Sequence, residues 1–338
     1  MMPELSSRER LLAILDGEPA DRPSCACPLQ TATLEMMGRS GAHWPDAHYD
    51  AKKMADLAYA AWKCADIESV RVPFCLTVEA EALGCSIHSG ADTSQPSVER
   101  PVLADKDALD SLSVPDPSKT GRMPVVATAL GLLSERADRL GLPVIGGVVG
   151  PFTLAGQIRG IETLLIDSFD DYDFLERVLA FTTDVCIAYS RHLVANGAEV
   201  ITLIDPSATT ELIGPEMFAS LAGPQLHAII DSLDVPVVLH ICGDTTEILD
   251  DMQRIGAKGI SIDHLVDMAV AREKVRSAAL VGNINPIDTL LFGDARRVVD
   301  EARSCIEKGA DILAPGCGIS PKTPLDNIRA YTSYAHGL

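Results

Sequence analysis

Positive charge is scarce in this chain. Its 338 residues carry 28 lysines and arginines against 48 aspartates and glutamates, a formal net charge of −20. Binding a phosphate backbone requires a basic stripe, so the composition argues against nucleic acid as a partner. Long apolar runs are missing too: none approaches the ~20 residues of a membrane span. The opening Met-Met-Pro-Glu-Leu-Ser-Ser-Arg-Glu-Arg lacks the apolar stretch of a signal peptide. There is no low-complexity tract. These absences lead us to expect a cytoplasmic protein without membrane contact. Against that background the nine cysteines stand out. An odd number without a secretory signal reads as reduced thiols and ligands, not as a disulfide framework.

With 47% hydrophobic and 22% charged residues the chain can bury one large core. A length near ~300 residues is compatible with two domains, but α/β barrels commonly reach ~250 residues or more as one. One domain over 1–338 is expected. Eight apolar segments have strand character: 24–28, 69–73, 143–149, 200–204, 235–241, 259–262, 279–283 and 311–314. Several are unbroken Val/Ile/Leu runs, as parallel strands covered on both sides require. Helical patterns separate them, such as 171–196 and 215–232. In the first of these Phe174, Val178, Phe181, Val185 and Tyr189 recur at three-to-four spacing, which buries one stripe, and Asn196-Gly197 suits a left-handed cap. Repeated strand–helix units predict a single (β/α)8 TIM barrel, with a doubly wound open sheet as the alternative. Extra amino-terminal segments, 31–63 and 76–130, exceed ordinary connections and have the length of lids or partner surfaces.

Barrels of this kind place their chemistry at the carboxyl ends of the strands. Polar residues collect at those ends here: Asp205 after 200–204, His240 and Cys242 at the end of 235–241, Asp263 and His264 after 259–262, Asn283 at the end of 279–283, and Cys317 after 311–314. His240 and Cys242 lie two apart, so an extended backbone points both the same way. A histidine ending an apolar strand is ordinarily a hydrogen-bonded core residue, and a lone buried cysteine ordinarily packs. The His-x-Cys pair together with a glycine-flanked cysteine at another strand end points instead to a metal. Three soft ligands with a fourth position open describe a catalytic zinc site, whereas structural sites close with four. A carboxylate at a strand end touches metal or substrate, or else caps a helix or bridges a loop, so Asp263 is a candidate for the open metal position, with His264 beside it as the alternative. Asp205, Asn283 and Arg71 are the expected substrate contacts, and Lys322 is a second candidate cation. Cys25 and Cys27 form a Cys-x-Cys on the first segment that reads as core packing, with a second metal pair as the alternative. Cys64, Cys75, Cys85, Cys186 and Cys305 read as structural.

Several stretches carry a resemblance. Gly147-Val-Val-Gly-Pro-Phe-Thr-Leu-Ala155, Gly282-Asn-Ile-Asn-Pro286, Ser40-Gly-Ala-His-Trp-Pro-Asp-Ala-His48, Arg71-Val-Pro-Phe-Cys-Leu-Thr77 and Asp205-Pro-Ser-Ala-Thr-Thr210 resemble the superfamily of uroporphyrinogen decarboxylase and the cobamide-dependent methyltransferases. His240, Cys242 and Cys317 are similar to the zinc signature of its methylcobalamin:coenzyme M methyltransferase branch. The resemblance implies an enzyme that moves a methyl group from methylcobalamin, carried on a corrinoid protein, to a small thiol such as coenzyme M held by Zn2+. Tetrahydrofolate is an alternative acceptor. The decarboxylases use no zinc and hold acetate side chains with an amino-terminal Arg-Gln-Ala-Gly-Arg-type segment; Met36-Met-Gly-Arg-Ser40 does not match it. Decarboxylation is therefore the second reading, and a module that binds a corrinoid partner or a thiol without turnover is the third. The oligomeric state stays open, with a homodimer among the expectations.

Overall fold

The unbroken apolar runs become parallel strands covered on both faces. A computed structural model describes residues 4–338, so the first three residues of the stretch read for a leader lie outside it. In chain order the strands are β1 (Val70–Val72), β2 (Ser86–His88), β3 (Ser97–Arg100), β4 (Val144–Val149), β5 (Val200–Ile204), β6 (Val237–His240), β7 (Gly259–Ser261), β8 (Ala279–Ile284) and β9 (Ile312–Pro315). Seven of them form one parallel sheet in the order β1-β4-β5-β6-β7-β8-β9, while β2 and β3 pair as a separate antiparallel hairpin. The segment 24–28, expected as the first strand, contributes a single parallel bridge from Ser24 to Ile312. It still lies in the gap between β9 and β1, since Leu313 N donates to Ser24 O (2.8 Å) and Glu68 N to Cys25 O (3.3 Å). Pro23 and Pro28 bracket it, and a residue without an N–H cannot extend a ladder. Side chains take over where the ladder stops: Cys27 N donates to Ser69 Oγ at 3.0 Å.

Alternate residues along each strand face the barrel interior. At the amino-terminal end Ile145, Val200, Val238, Val281 and Ile312 form one cluster with Leu11 and Leu15. Those two leucines come from the helix Ser7–Leu15, whose start is secured by a reciprocal Ser6/Glu9 capping box. The helix plugs that end of the barrel with apolar side chains. The opposite end is left for polar residues.

The two extra segments are structured. Residues 31–63 supply the helix Leu34–Ser40 and most of Ala51–Ala65, and 76–130 hold the β2–β3 hairpin and the start of the helix Met123–Asp138. The helix Tyr172–Ala195 buries Phe174, Val178, Val185 and Tyr189 as expected from its stripe, and Gly197 beyond it takes the left-handed φ of 104°. The helix expected over 215–232 runs from Pro215 to Asp231, with a π-helical turn at Phe218–Ala222. Gly214, whose φ of 67° is not helical, separates it from the short turn that begins at Thr210, and Pro215 opens it where a missing N–H costs nothing. Among the described residues no helix is long and apolar enough to cross a membrane.

Candidate metal and acceptor site

The plain register of the strands brings the three expected metal ligands together. His240 is the last residue of β6, paired with Ile204 on β5 and Ser261 on β7. Its side chain is buried. Nδ1 lies 3.0 Å from Ser261 Oγ and 3.2 Å from Ser261 O. A carbonyl only accepts, so Nδ1 carries the proton and the lone pair sits on Nε2. Nε2 is 3.3 Å from Cys242 Sγ, and Cys242 Sγ is 3.9 Å from Cys317 Sγ. Cys317 arrives from the turn after β9. Gly316 before it allows the close approach, since a Cβ there would stand 2.6 Å from the His264 amide nitrogen.

The three donor atoms lie within 4.8 Å of one another. A tetrahedral zinc with Zn–S bonds of about 2.3 Å holds its sulfurs about 3.8 Å apart, close to the separation found here. The residues therefore fit a zinc ion in both donor type and spacing. Electrostatics agrees with such a role. The hydrogen bond from Cys242, opposed by burial and helped by His240, lowers the Cys317 pKa. The neighbouring sulfur and burial push Cys242 up.

The other expected site residues are placed differently. Asp263 is outside the three-donor group; its carboxylate accepts from Gly243 N (3.2 Å) and Leu265 N (3.1 Å), and His264 Nδ1 is 2.7 Å from it. Asp205 is buried and accepts from Phe152 N (3.2 Å), Thr153 N (2.7 Å) and Thr153 Oγ1 (2.6 Å). It caps the helix Pro151–Arg159 from a neighbouring strand, and burial raises its pKa to about 6 despite those bonds. Asn283 donates to the carbonyls of Asp263 (3.0 Å) and Val266 (2.7 Å) and accepts from Cys305 Sγ (3.5 Å), which ties down the loop after β7. Arg71 faces the barrel interior, and Lys322 is exposed on the loop beyond Cys317.

Two parts of the surroundings were not singled out from the sequence. Ser261, which orients His240, is one polar residue inside the Gly259-Ile-Ser-Ile262 run, and that interruption was its signal. A second group lies beyond β1. There Arg122 Nη1 donates to Cys75 Sγ at 3.4 Å. Burial pushes Cys75 up, yet His48 and Arg122 outweigh it and bring the thiol down to about 5. Burial also raises the nearby Glu79 to about 7, although it accepts from Val149 N at 2.9 Å. Cys25, expected to pack in the core, lies 3.2 Å from His336 Nε2 of the last helix, with Glu68 next to both, so a second group of metal-donor type forms there. Arg10 and Arg22 each hold Glu68 at 2.6 Å.

Comparison with known proteins gives a consistent set of likenesses. A family profile described as "Uroporphyrinogen decarboxylase (URO-D)" matches residues 6–338. A methylcobamide:CoM methyltransferase of Methanosarcina acetivorans is 40% identical over 331 residues, 97% of each chain. A methylated-thiol–coenzyme M methyltransferase of Methanosarcina mazei is 34% identical over 98% of this chain and 89% of its own length. Among solved structures, a methyltransferase from Methanosarcina mazei superimposes with a TM-score of 0.96 at 36% identity, covering 99% of both chains.

Proposed function

Because the chain belongs to the uroporphyrinogen decarboxylase family, we propose that it is a zinc-dependent corrinoid methyltransferase. It takes a methyl group from a methylcobamide on a corrinoid protein and delivers it to the thiol of coenzyme M. The observation that carries this reading is the convergence of His240 Nε2, Cys242 Sγ and Cys317 Sγ at the carboxyl end of the barrel. It is supported by relatives named for methylcobamide:CoM and methylated-thiol–coenzyme M transfer. Bound by those three atoms, a zinc ion supplies the Lewis acidity that keeps an acceptor thiol in its thiolate form at neutral pH. Ser261 holds the His240 ring with Nε2 free to coordinate. Asp263, beside Cys242, is the carboxylate proposed for the fourth position before the acceptor arrives. The acceptor thiolate attacks the methyl carbon in line, and the cobalt of the partner's corrinoid leaves with the bonding electrons as Co(I). We propose that residues 1–338 act as one domain, supported by a hydrophobic cluster that extends from Cys25 to Ala335. A cytoplasmic location is in keeping with nine unpaired cysteines.

The reading is tested by metal analysis of protein purified without added metal, followed by anaerobic incubation with methylcobalamin and coenzyme M while the cobalamin spectrum is recorded. About one zinc per chain, as a three-ligand catalytic site implies, with thiol-dependent loss of methylcobalamin is expected. Demethylation with tetrahydrofolate but no thiol would move the acceptor to the folate class. Zinc-free protein without any demethylation would restore the decarboxylase reading.

A further inference from the structure

Away from the candidate metal site, most cysteines of this chain behave as buried thiols. Burial pushes Cys25, Cys27, Cys85, Cys186 and Cys305 above the ordinary thiol range. Cys75 is the exception, because its sulfur faces hydrogen-bond donors. Arg122 Nη1 stands 3.4 Å from Sγ and Thr77 Oγ1 stands 3.6 Å from it. Arg122 is fixed in turn, through Nε by Glu81 and through Nη2 by Thr77 Oγ1 at 2.9 Å. Since that oxygen accepts from Arg122, its own proton is free for the sulfur. A guanidinium and a hydroxyl aimed at one sulfur favour its thiolate form.

The other side of the sulfur is unfinished. His48 is fully buried and stabilises the thiolate, yet neither of its ring nitrogens has a well-formed hydrogen bond. The Trp44 ring packs on His48 with centroids 4.8 Å apart, and its buried Nε1 is also without a partner. Buried polar atoms are as a rule hydrogen-bonded, so the group has room in its bonding for one more oxygen. Cys75 is only 2% exposed. Its cover is thin, because the exposed Tyr49 ring lies directly over the Arg122 guanidinium, 4.7 Å from its carbon. A reagent close to water in size can pass such a cover, and a bulky one cannot.

We propose that Cys75 is a peroxide-reactive modification site, at which the thiolate takes one oxygen atom from hydrogen peroxide. Sγ attacks one peroxide oxygen; the S–O bond forms as the O–O bond breaks. The sulfur gives up an electron pair, and the second oxygen leaves as hydroxide and becomes water with a proton from solvent. Arg122 and Thr77 donate to the departing oxygen, and His48 and Trp44 receive the oxygen added to sulfur. The product is a sulfenic acid, the rung of cysteine oxidation that small thiols reverse. The site is separate from the metal-ligand candidates on β6 and beyond β9, and it does not depend on the methyltransferase reading.

The experiment treats reduced, zinc-supplied protein with stoichiometric hydrogen peroxide and then unfolds it in denaturant containing dimedone. Each cysteine-bearing peptide is read by mass spectrometry. Cys75 is expected to carry the sulfenic label ahead of Cys64, a half-buried cysteine, whereas iodoacetamide, which is larger, reacts with Cys64 first. Thr77→Val removes one donor, and Arg122→Lys keeps the charge but loses the fork that holds Sγ and Thr77 together. In each the labelling rate of Cys75 falls by about 10- to 100-fold, the value of a hydrogen bond to a charged group. Oxidation of Cys64 before Cys75 by hydrogen peroxide, or wild-type labelling of Cys75 in a variant whose circular dichroism is unchanged, would overturn the proposal. If a variant does not fold, the order of labelling in the wild type decides.

Discussion

At the residue scale, the ligand set depends on what surrounds it. His240 presents Nε2 to the proposed metal because Ser261 occupies Nδ1, and such outer partners typically affect metal affinity by 10- to 100-fold. Ser261→Ala removes the hydroxyl and leaves the carbonyl, so a loss of about tenfold in zinc affinity is expected at the low end of that range. Competition with a chelator measures it. Cys242→Ala and Cys317→Ala each remove a proposed ligand outright. Both variants should be purified nearly free of zinc and inactive while circular dichroism shows an unchanged barrel; zinc-free protein with full methyl transfer would sink the ligand assignment. The ligands were legible because a histidine and two cysteines interrupt apolar runs at glycine-rich ends. Ser261 was overlooked because serine is common, and its meaning comes only from the imidazole beside it.

At the scale of elements, the strand ends organise the neighbouring helices. Asp205 follows β5 yet caps the helix that follows β4, accepting from two amides and the Thr153 hydroxyl. Its folded-state pKa is raised to about 6, above the ~3.9 of an unfolded chain. The sign follows directly: the unfolded chain gives up this proton first, so the contribution is full below about pH 4 and is lost as pH rises towards 6. Asp205→Asn abolishes that titration. It also places an amide NH2 where acceptors are needed, at a cost of about 0.5–2 kcal/mol as for other lost caps. Urea midpoints between pH 4 and 7 check both effects: the variant should lie below the wild type at neutral pH and lack its slope. The capping role was open in the sequence, because a carboxylate at a strand end serves substrate and helix equally well until its partners are known. The helix start at Pro215 was readable from Gly214-Pro215, a residue free to take a positive φ followed by one suited to the first helical turn.

At the scale of the whole molecule, stability and chemistry occupy opposite ends of one barrel. Leu11 and Leu15 close the amino-terminal end against Ile145, Val200, Val238, Val281 and Ile312. Leu11→Ala leaves a cavity in that plug and is expected to cost about 2–5 kcal/mol. Thermal denaturation should show a lower Tm, whereas zinc content and kcat at a permissive temperature stay at wild-type values. A fall in zinc content would mean that the plug and the site are coupled through the strands.

What the amino-acid sequence determined by itself is the repeat of strand and helix, the parallel character of the strands and the donor atoms at their carboxyl ends. These are local properties, set by period, by side-chain type and by the turn residues that end each run. The tertiary structure alone decided which of those residues meet. It turned Asp205 towards a helix start and Asn283 towards a loop, brought His336 to Cys25 across nearly the whole chain, and replaced the first strand by a bridged segment between two prolines. It also left two nitrogens of Arg71, Nε and Nη2, without a hydrogen-bond partner beside Gly147. The physical reason is that hydrogen bonds and ion pairs depend on distances through space, which strand register fixes and sequence spacing does not.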